Sequence, residues 1–298
     1  MGHDHHVGGA IDTRHIAIAF WLNFGFTILE VVGGLLTNSV AVLSDALHDM
    51  GDSLSLGLAW YFQKLSQKGI DDKYSYGYRR FSVLGAFINV VILTTGSVVI
   101  LFFAVNRLLH PEEVEPVGMV IIAVLGIAVN GAAAFQLRGS ENINAKVVSL
   151  HLLEDILGWV AVLIGSLVMI FVDAPWIDPV LSIAITLYIL YHAIRNFLKC
   201  MAIFMQKVPP GINIEEVKTK LEEIPDLHQA HDIHVWSLDG RFKVMTLHAQ
   251  VPPEKTLMEL EQIKFLVHAE MRKLNIHHVT VEFKPIGAEC YSCEKKED

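Results

Sequence analysis

Six apolar runs, each long enough to cross a lipid bilayer, constrain the fold of this chain more than any other feature of its sequence. An α-helix needs about 20 predominantly apolar residues to span the hydrocarbon core. The chain is 52% hydrophobic and 18% charged, which indicates a membrane protein and not a soluble one. The predicted spans are 15–36, 39–62, 81–109, 117–137, 147–172 and 181–204.

Ionisable side chains interrupt the second and fifth runs at matching positions. His48 and Asp52 are four residues apart, and so are His151 and Asp155. Residues at this spacing lie on one face of a helix. A carboxylate at bilayer depth costs about 2.5 to 3.5 kcal/mol, so such groups normally face a partner or a water-filled cavity. Each pair predicts half of one polar site, and a polar helix contact without an ion is the alternative.

The composition of these two half-sites indicates a metal ion. Two imidazoles and two carboxylates are the number and kind of ligands that tetrahedral Zn²⁺ takes, and the carboxylates neutralise the charge of the ion. Without metal, facing carboxyl groups in a low dielectric retain protons, and an imidazole can accept one as well. The four residues therefore predict a site that metal and protons occupy in turn.

Two further acidic residues lie within the apolar runs. Asp45 falls on the same helical stripe as His48 and Asp52. Glu30 lies within the first run, where a carboxylate needs a reason to be buried. It either lines the ion path or pairs with another helix, and the sequence favours neither interpretation.

Basic residues predict the orientation in the membrane, because cytoplasmic loops carry an excess of Lys and Arg. They gather after the second, fourth and sixth runs, whereas the opposite loops have little beyond Arg107. Both termini are therefore expected to be cytoplasmic. The N-terminus opens with His and Asp residues and not with the basic region of a signal peptide, so a prokaryotic inner membrane is the expected location.

After Pro209-Pro210-Gly211 the pattern becomes amphipathic and predicts a soluble domain. Asn213 caps a first predicted helix, Asp239-Gly240 indicates a hairpin turn, and the element order is α-β-β-α-β. We predict a three-stranded sheet with two helices on one face. The predicted divisions are a His-containing tail (1–14), a transport domain (15–208), a cytoplasmic domain (209–286) and a tail with Cys-x-x-Cys (287–298).

The other face of the predicted sheet carries polar side chains. His248 and Glu282 alternate with apolar neighbours such as Leu247 and Val281, so they lie opposite the helices. A second metal site built from His231 or His234 together with His248 and Glu282 is one interpretation, and a solvated polar face is the other. Cys290 and Cys293 are close enough in sequence to add thiolate ligands, which favour zinc.

Four motifs together resemble the cation diffusion facilitator family, and its zinc-type branch in particular. They are Asn38-Ser-Val-Ala-Val-Leu-Ser-Asp-Ala46 leading into His48-x-x-x-Asp52, Tyr76-Gly-Tyr-Arg-Arg80, His151-x-x-x-Asp155, and His231-Asp-Ile-His-Val-Trp-Ser237. The resemblance implies six transmembrane helices and a cytoplasmic ferredoxin-like domain that forms a homodimer. It also implies export of divalent metal in exchange for protons.

The resemblance further implies a role for individual residues. The transport ligands would be His48, Asp52, His151 and Asp155, and the cytoplasmic ligands would be His231, His248, Glu282 and the two tail cysteines, Cys290 and Cys293. Zn²⁺ is the expected substrate; transport of Zn²⁺ alone and transport of Zn²⁺ together with Cd²⁺ and Co²⁺ both fit the sequence, because the same nitrogen and oxygen ligands accept all three ions. Zinc in the soluble domain would have a structural or regulatory role.

Other functional classes fit the sequence less well. A passive channel or a metal sensor would use the same ligands, and only coupling to a proton gradient separates these from an exchanger. A membrane metalloenzyme would need an open coordination position, whereas four protein ligands close the coordination sphere, and His-Glu-x-x-His is missing. We therefore expect a transporter and not an enzyme. No basic block of the kind that binds nucleic acid occurs, and the net charge is −9.

Overall fold

The computed structural model describes residues 13–66, 68–136 and 143–288. Two compact units divide the chain, one within 1–64 and 85–197 and the other within 65–84 and 198–298. The predicted N-terminal His cluster and the cysteines Cys290 and Cys293 lie outside the described residues. The finer division of the chain at residues 14, 208 and 286 stays a prediction.

Each predicted span forms a helix, and most residues of these helices belong to the first unit. The helices are α1 (Thr13–Thr37), α2 (Val40–Ser66), α3 (Phe81–Leu109), α4 (Pro116–Gln136), α5 (Ile143–Phe171) and α6 (Ile177–Phe204). Within the described ranges, α3 to α6 contain stretches long and apolar enough to cross a membrane, and α1 has a shorter apolar stretch at Phe24–Thr37. The second helix is less apolar because it carries Asp45, Asp49 and Asp52.

The sixth helix begins earlier than the sequence predicted. Its first residue is Ile177 and not Leu181, and Pro179 lies in its first turn. From the sequence alone, Pro179 is expected to belong to a proline-broken turn before the helix. A proline is tolerated in the first helical turn, because the N–H that it lacks has no partner there in any case.

Asp178 connects the start of α6 to the start of α2. This carboxylate is fully buried, and it accepts hydrogen bonds from Ser39 Oγ (2.5 Å), Val40 N (2.9 Å) and Ala41 N (3.2 Å). The first N–H groups of a helix have no partner within the helix, and the helix dipole favours a negative charge beside them. Asp178 therefore caps α2 from a different helix.

Trp159 on α5 lies at the centre of the apolar core of this unit. It is fully buried, and its ring is 6.1 Å from that of Phe26 in an edge-to-face arrangement. Gly126 of α4 lies directly against the indole, and a β-carbon at this position would overlap the ring atoms. The absence of a side chain at Gly126 thus lets α4 and α5 approach each other closely.

The second unit has the element order that the sequence predicted. It contains α7 (Ile214–Glu222), β1 (Gln229–Ser237), β2 (Lys243–Val251), α8 (Leu257–Lys273) and β3 (Ile276–Pro285). The central strand β2 pairs antiparallel with β1 and parallel with β3. The predicted cap at Asn213 is confirmed by its hydrogen bond from Glu215 N, and the turn at Gly240 by its positive φ of 86°.

Both helices of this unit pack on the same face of the sheet. Val217 of α7 and Val267 of α8 belong to the same buried cluster as Met245, Leu247 and Ala249 of β2. These three residues alternate along the strand and so point to one side. His248, between two of them, points to the opposite side, as predicted.

The loop between α2 and α3 packs on the β1–β2 turn within this second unit. Asp71 organises the loop by accepting hydrogen bonds from Lys73 N (2.9 Å), Tyr74 N (2.8 Å) and Tyr78 Oη (2.7 Å). At the end of the loop, the Arg79 guanidinium lies 4.3 Å from the centre of the Phe242 ring. A cation in this position is attracted to the ring face.

Candidate metal sites

Three of the four predicted ligands in the membrane unit lie close together. His48 Nε2 is 3.9 Å from Asp52 Oδ2 on its own helix and 3.7 Å from Asp155 Oδ1 on α5. Asp155 is 8% exposed. The fourth predicted ligand, His151, belongs to α5, and its side chain lies outside the described part of the structure. Helices α2 and α5 thus face each other with these polar groups between them.

Two neighbouring helices hold α2 at this position. On the α5 side, Asp45 Oδ1 is 3.6 Å from where a β-carbon would stand at Gly158. On the α6 side, the Ser44 hydroxyl is 2.6 Å from that of Ser182 and 3.3 Å from that of Thr186. Ser44 precedes His48 by one helical turn, so these contacts also fix the stripe that carries the imidazole.

Three more carboxyl groups are buried near this site, and the sequence assigned none of them as a ligand. They are Glu30 on α1 and Asp45 and Asp49 on α2, all at most 5% exposed. Glu30 interacts electrostatically with both aspartates and with Asp155. The i, i+4 spacing of Asp45 and Asp49 was a usable signal. No sequence signal could have revealed that Glu30 lies near these aspartates, because its position depends on how α1 packs against α2.

The sheet of the second unit brings together a second group of ligand side chains. His248 Nε2 is 3.3 Å from Glu282 Oε2 and 3.5 Å from Asp232 Oδ2. His231 lies opposite His248 in the β1–β2 pairing, with their ring centres 5.4 Å apart. Ligands bound at 2.0 to 2.1 Å to a tetrahedral zinc are about 3.3 Å apart. The separations of His248 from both carboxylates are close to this value.

His231, and not His234, faces His248. His234 is 64% exposed and contacts Asp232 at 3.0 Å. The Nδ1 atom of His231 is buried, and no hydrogen-bond partner reaches it among the residues that the structure describes. Burial, followed by the charge of His248, lowers the pKa of His231. A low pKa keeps the imidazole neutral, which is the form that binds metal.

Asp232 is a residue of this group that the sequence did not predict. Simple alternation along β1 would place it on the opposite face from His231. The β1–β2 pairing is instead irregular between His231 and His234, and Asp232 has a positive φ of 52°. A bulge of this kind re-aims a side chain, and the alternation pattern does not reveal it.

The ligand side chains contact one another in pairs at both places. Within residues 13–66, 68–136 and 143–288, no three His, Cys, Asp or Glu side chains already surround a common point at metal-binding distance. A bound ion would draw the members of each group together.

The chain matches two family models that together cover most of its length. Residues 16–205 match the cation efflux transmembrane domain, and residues 209–286 match the cytoplasmic domain of cation efflux proteins. The chain belongs to the cation efflux family. This assignment confirms the resemblance to cation diffusion facilitators, and with it the fold of a helical membrane domain followed by an α+β domain.

Relatives in the cation efflux family align over nearly the whole chain. A cadmium, cobalt and zinc/H⁺-K⁺ antiporter of Bacillus velezensis is 33% identical over 95% of this chain and 92% of its own length. The zinc transporter ZitB of Escherichia coli is 34% identical over 98% of this chain and 96% of its own length. The metal cation efflux protein CzcD of Cupriavidus metallidurans is 32% identical over 95% and 90%.

Proposed function

We propose that this protein exports divalent metal cations, chiefly Zn²⁺, from the cytoplasm in exchange for protons. The observation that carries the proposal is the position of His48, whose Nε2 lies 3.9 Å from Asp52 and 3.7 Å from Asp155 on another helix. Nitrogen and oxygen ligands of this kind suit zinc. The names of the relatives support the substrate, and they support Cd²⁺ and Co²⁺ as further substrates.

The exchange follows from the charges of the site. A buried carboxyl group such as that of Asp155, which is 8% exposed, is costly when ionised, so it takes up a proton while no cation is present. Zn²⁺ binds to the ionised groups and therefore displaces protons. If the metal-loaded form opens to the cytoplasm and the protonated form to the other side, the proton gradient drives the return step. His151 would complete the ligand set as the fourth donor.

The test uses purified protein in proteoliposomes. We expect His48→Ala and Asp155→Ala to abolish proton flux driven by a zinc gradient, because each removes a ligand. His110→Ala and Asp173→Asn are matched controls in exposed positions outside the site, and they should transport like the wild type. Full flux in either site variant would disprove this mechanism. A zinc flux with the same rate in the presence and absence of a pH gradient would instead indicate a channel.

For the second unit, we propose a regulatory or structural zinc held by His231, Asp232, His248 and Glu282. The unsatisfied Nδ1 of His231 and the spacing around His248 support this assignment. Cys290 and Cys293 would add thiolates from the tail. The zinc would neutralise the carboxylates and so favour association of two subunits into a homodimer.

Light scattering of the full-length protein tests this second proposal. We expect zinc to increase the dimer fraction of the wild type and of His228→Ala, which changes an exposed histidine outside the cluster. The same zinc addition should have no effect on His248→Ala. Equal association with and without zinc in the wild type would rule out the switch and leave transport untouched.

We also propose a prokaryotic inner membrane as the location, with both termini in the cytoplasm. The distribution of Lys and Arg among the loops supports this orientation. Labelling of single cysteines with a membrane-impermeant reagent would test it. Labelling of a terminal cysteine from outside intact cells would contradict the proposed orientation.

A further inference from the structure

Glu30 is a fully buried acidic residue that the metal sites do not use. It lies on α1 and is 0% exposed. Neither of its carboxylate oxygens receives a hydrogen bond from a donor among the described residues. The sequence left open whether Glu30 lines the ion path or pairs with another helix. Its surroundings decide between these interpretations.

Among the described residues, the charges that act most strongly on Glu30 belong to other acids. The groups are Asp49 and Asp45 on α2 and Asp155 on α5, and the carboxyl of Asp49 is within hydrogen-bonding reach. Helix α4, which also packs against α1, places the apolar side chain of Ile122 against Gly33, about one helical turn from Glu30. Two carboxyl groups form a favourable contact only when one of them carries a proton.

A proton is the cation that best fits this position. A buried carboxylate without a positive partner has to be neutralised by a bound ion or by protonation. A single carboxylate oxygen binds a proton, so the neighbouring carboxyl groups of Glu30 and Asp49 are sufficient to hold one.

We propose that Glu30 is a proton-binding residue of the exchange cycle, separate from the residues that bind the metal. The inference rests on the proposed export function. Zn²⁺ beside Asp155 makes an ionised Glu30 less costly, and the carboxyl then releases its proton to water. When the metal leaves, one carboxylate oxygen takes up one proton again, and no other bond changes. Glu30 thereby adds to the number of protons exchanged per metal ion.

Two transport assays on the same proteoliposomes separate this role from metal binding. Exchange of labelled for unlabelled zinc at equal pH requires only the metal-loaded form. Net zinc uptake driven by an inside-acid pH gradient requires the protonated form as well. We expect Glu30→Gln, which keeps the shape but binds no proton, to retain zinc-for-zinc exchange within about threefold and to lose about tenfold in net uptake. Asp173→Asn serves as the control.

A pH indicator inside the vesicles gives an independent measurement. The number of protons moved per zinc should fall in Glu30→Gln and recover in Glu30→Asp, which retains a carboxyl group. Net uptake and proton number equal to wild type would overturn the inference, and so would a parallel loss in both transport assays, which indicates a structural role. A wild type without any proton coupling would instead refute the proposed function itself.

Discussion

Replacing Asp178 by Asn should destabilise the membrane unit measurably, because this carboxylate caps α2 from another helix. It accepts three hydrogen bonds, from Ser39 Oγ, Val40 N and Ala41 N, and is fully buried. A hydrogen bond to a charged group contributes about 1 kcal/mol more than one to a neutral group. Three such bonds make about 3 kcal/mol, from which the lower cost of burying a neutral amide subtracts about 1 kcal/mol. The expected net loss is about 2 kcal/mol.

Thermal unfolding of the full-length protein in detergent measures this loss. For a unit of this size, about 2 kcal/mol lowers Tm by roughly 4 to 8 °C. Asp173→Asn, an exposed acid in the preceding turn, should shift Tm by at most about 1 to 2 °C. A Tm for Asp178→Asn within about 1 °C of the wild type would show that the cap contributes nothing and refute the reasoning.

Three further predictions concern other parts of the chain. Replacing His48 by Asp should shift transport preference toward Mn²⁺, since carboxylate oxygen suits harder ions, and an unchanged ranking in competition uptake would contradict this. Gly126→Ala should destabilise the membrane unit by about 1 to 3 kcal/mol, because its methyl group would overlap the Trp159 ring; thermal unfolding measures the loss, and an unchanged Tm would contradict the close approach. The pKa of His231 is lower in the folded protein than the ordinary value of 6.5 for a histidine. As pH falls below about 6.5, this imidazole therefore takes up a proton in the unfolded chain more readily than in the folded protein. Stability in the presence of a chelator should therefore fall as pH drops below about 6.5, and His231→Asn should reduce this slope in urea titrations.

Local features of this fold could be predicted from the sequence with few errors. The cap at Asn213 and the turn at Asp239-Gly240 depend on the preferences of single residues, and the structure confirms both. The start of α6 was wrong, because Pro179 is compatible with both a helix start and a turn. What decides between them is Asp178, whose contacts with α2 lie far away in sequence.

The candidate sites show the same division between local and distant information. The pairing of His48 with Asp52 follows from helical spacing alone, and that of His248 with Glu282 from the alternation of neighbouring strands. The approach of Glu30 to the α2 aspartates depends on helix packing, which periodicity does not encode. Asp232 reaches its position through a bulge, an irregularity that breaks the very pattern used to predict strands.

The position of Trp159 allows its intrinsic fluorescence to report on the transport domain. The indole follows Asp155 by one helical turn and is shielded from solvent by Phe26 and Gly126. Any rearrangement of α5 that accompanies cation binding alters the polarity around this ring. With the other four tryptophans replaced by phenylalanine, the emission spectrum would follow the transport cycle in real time without an attached dye.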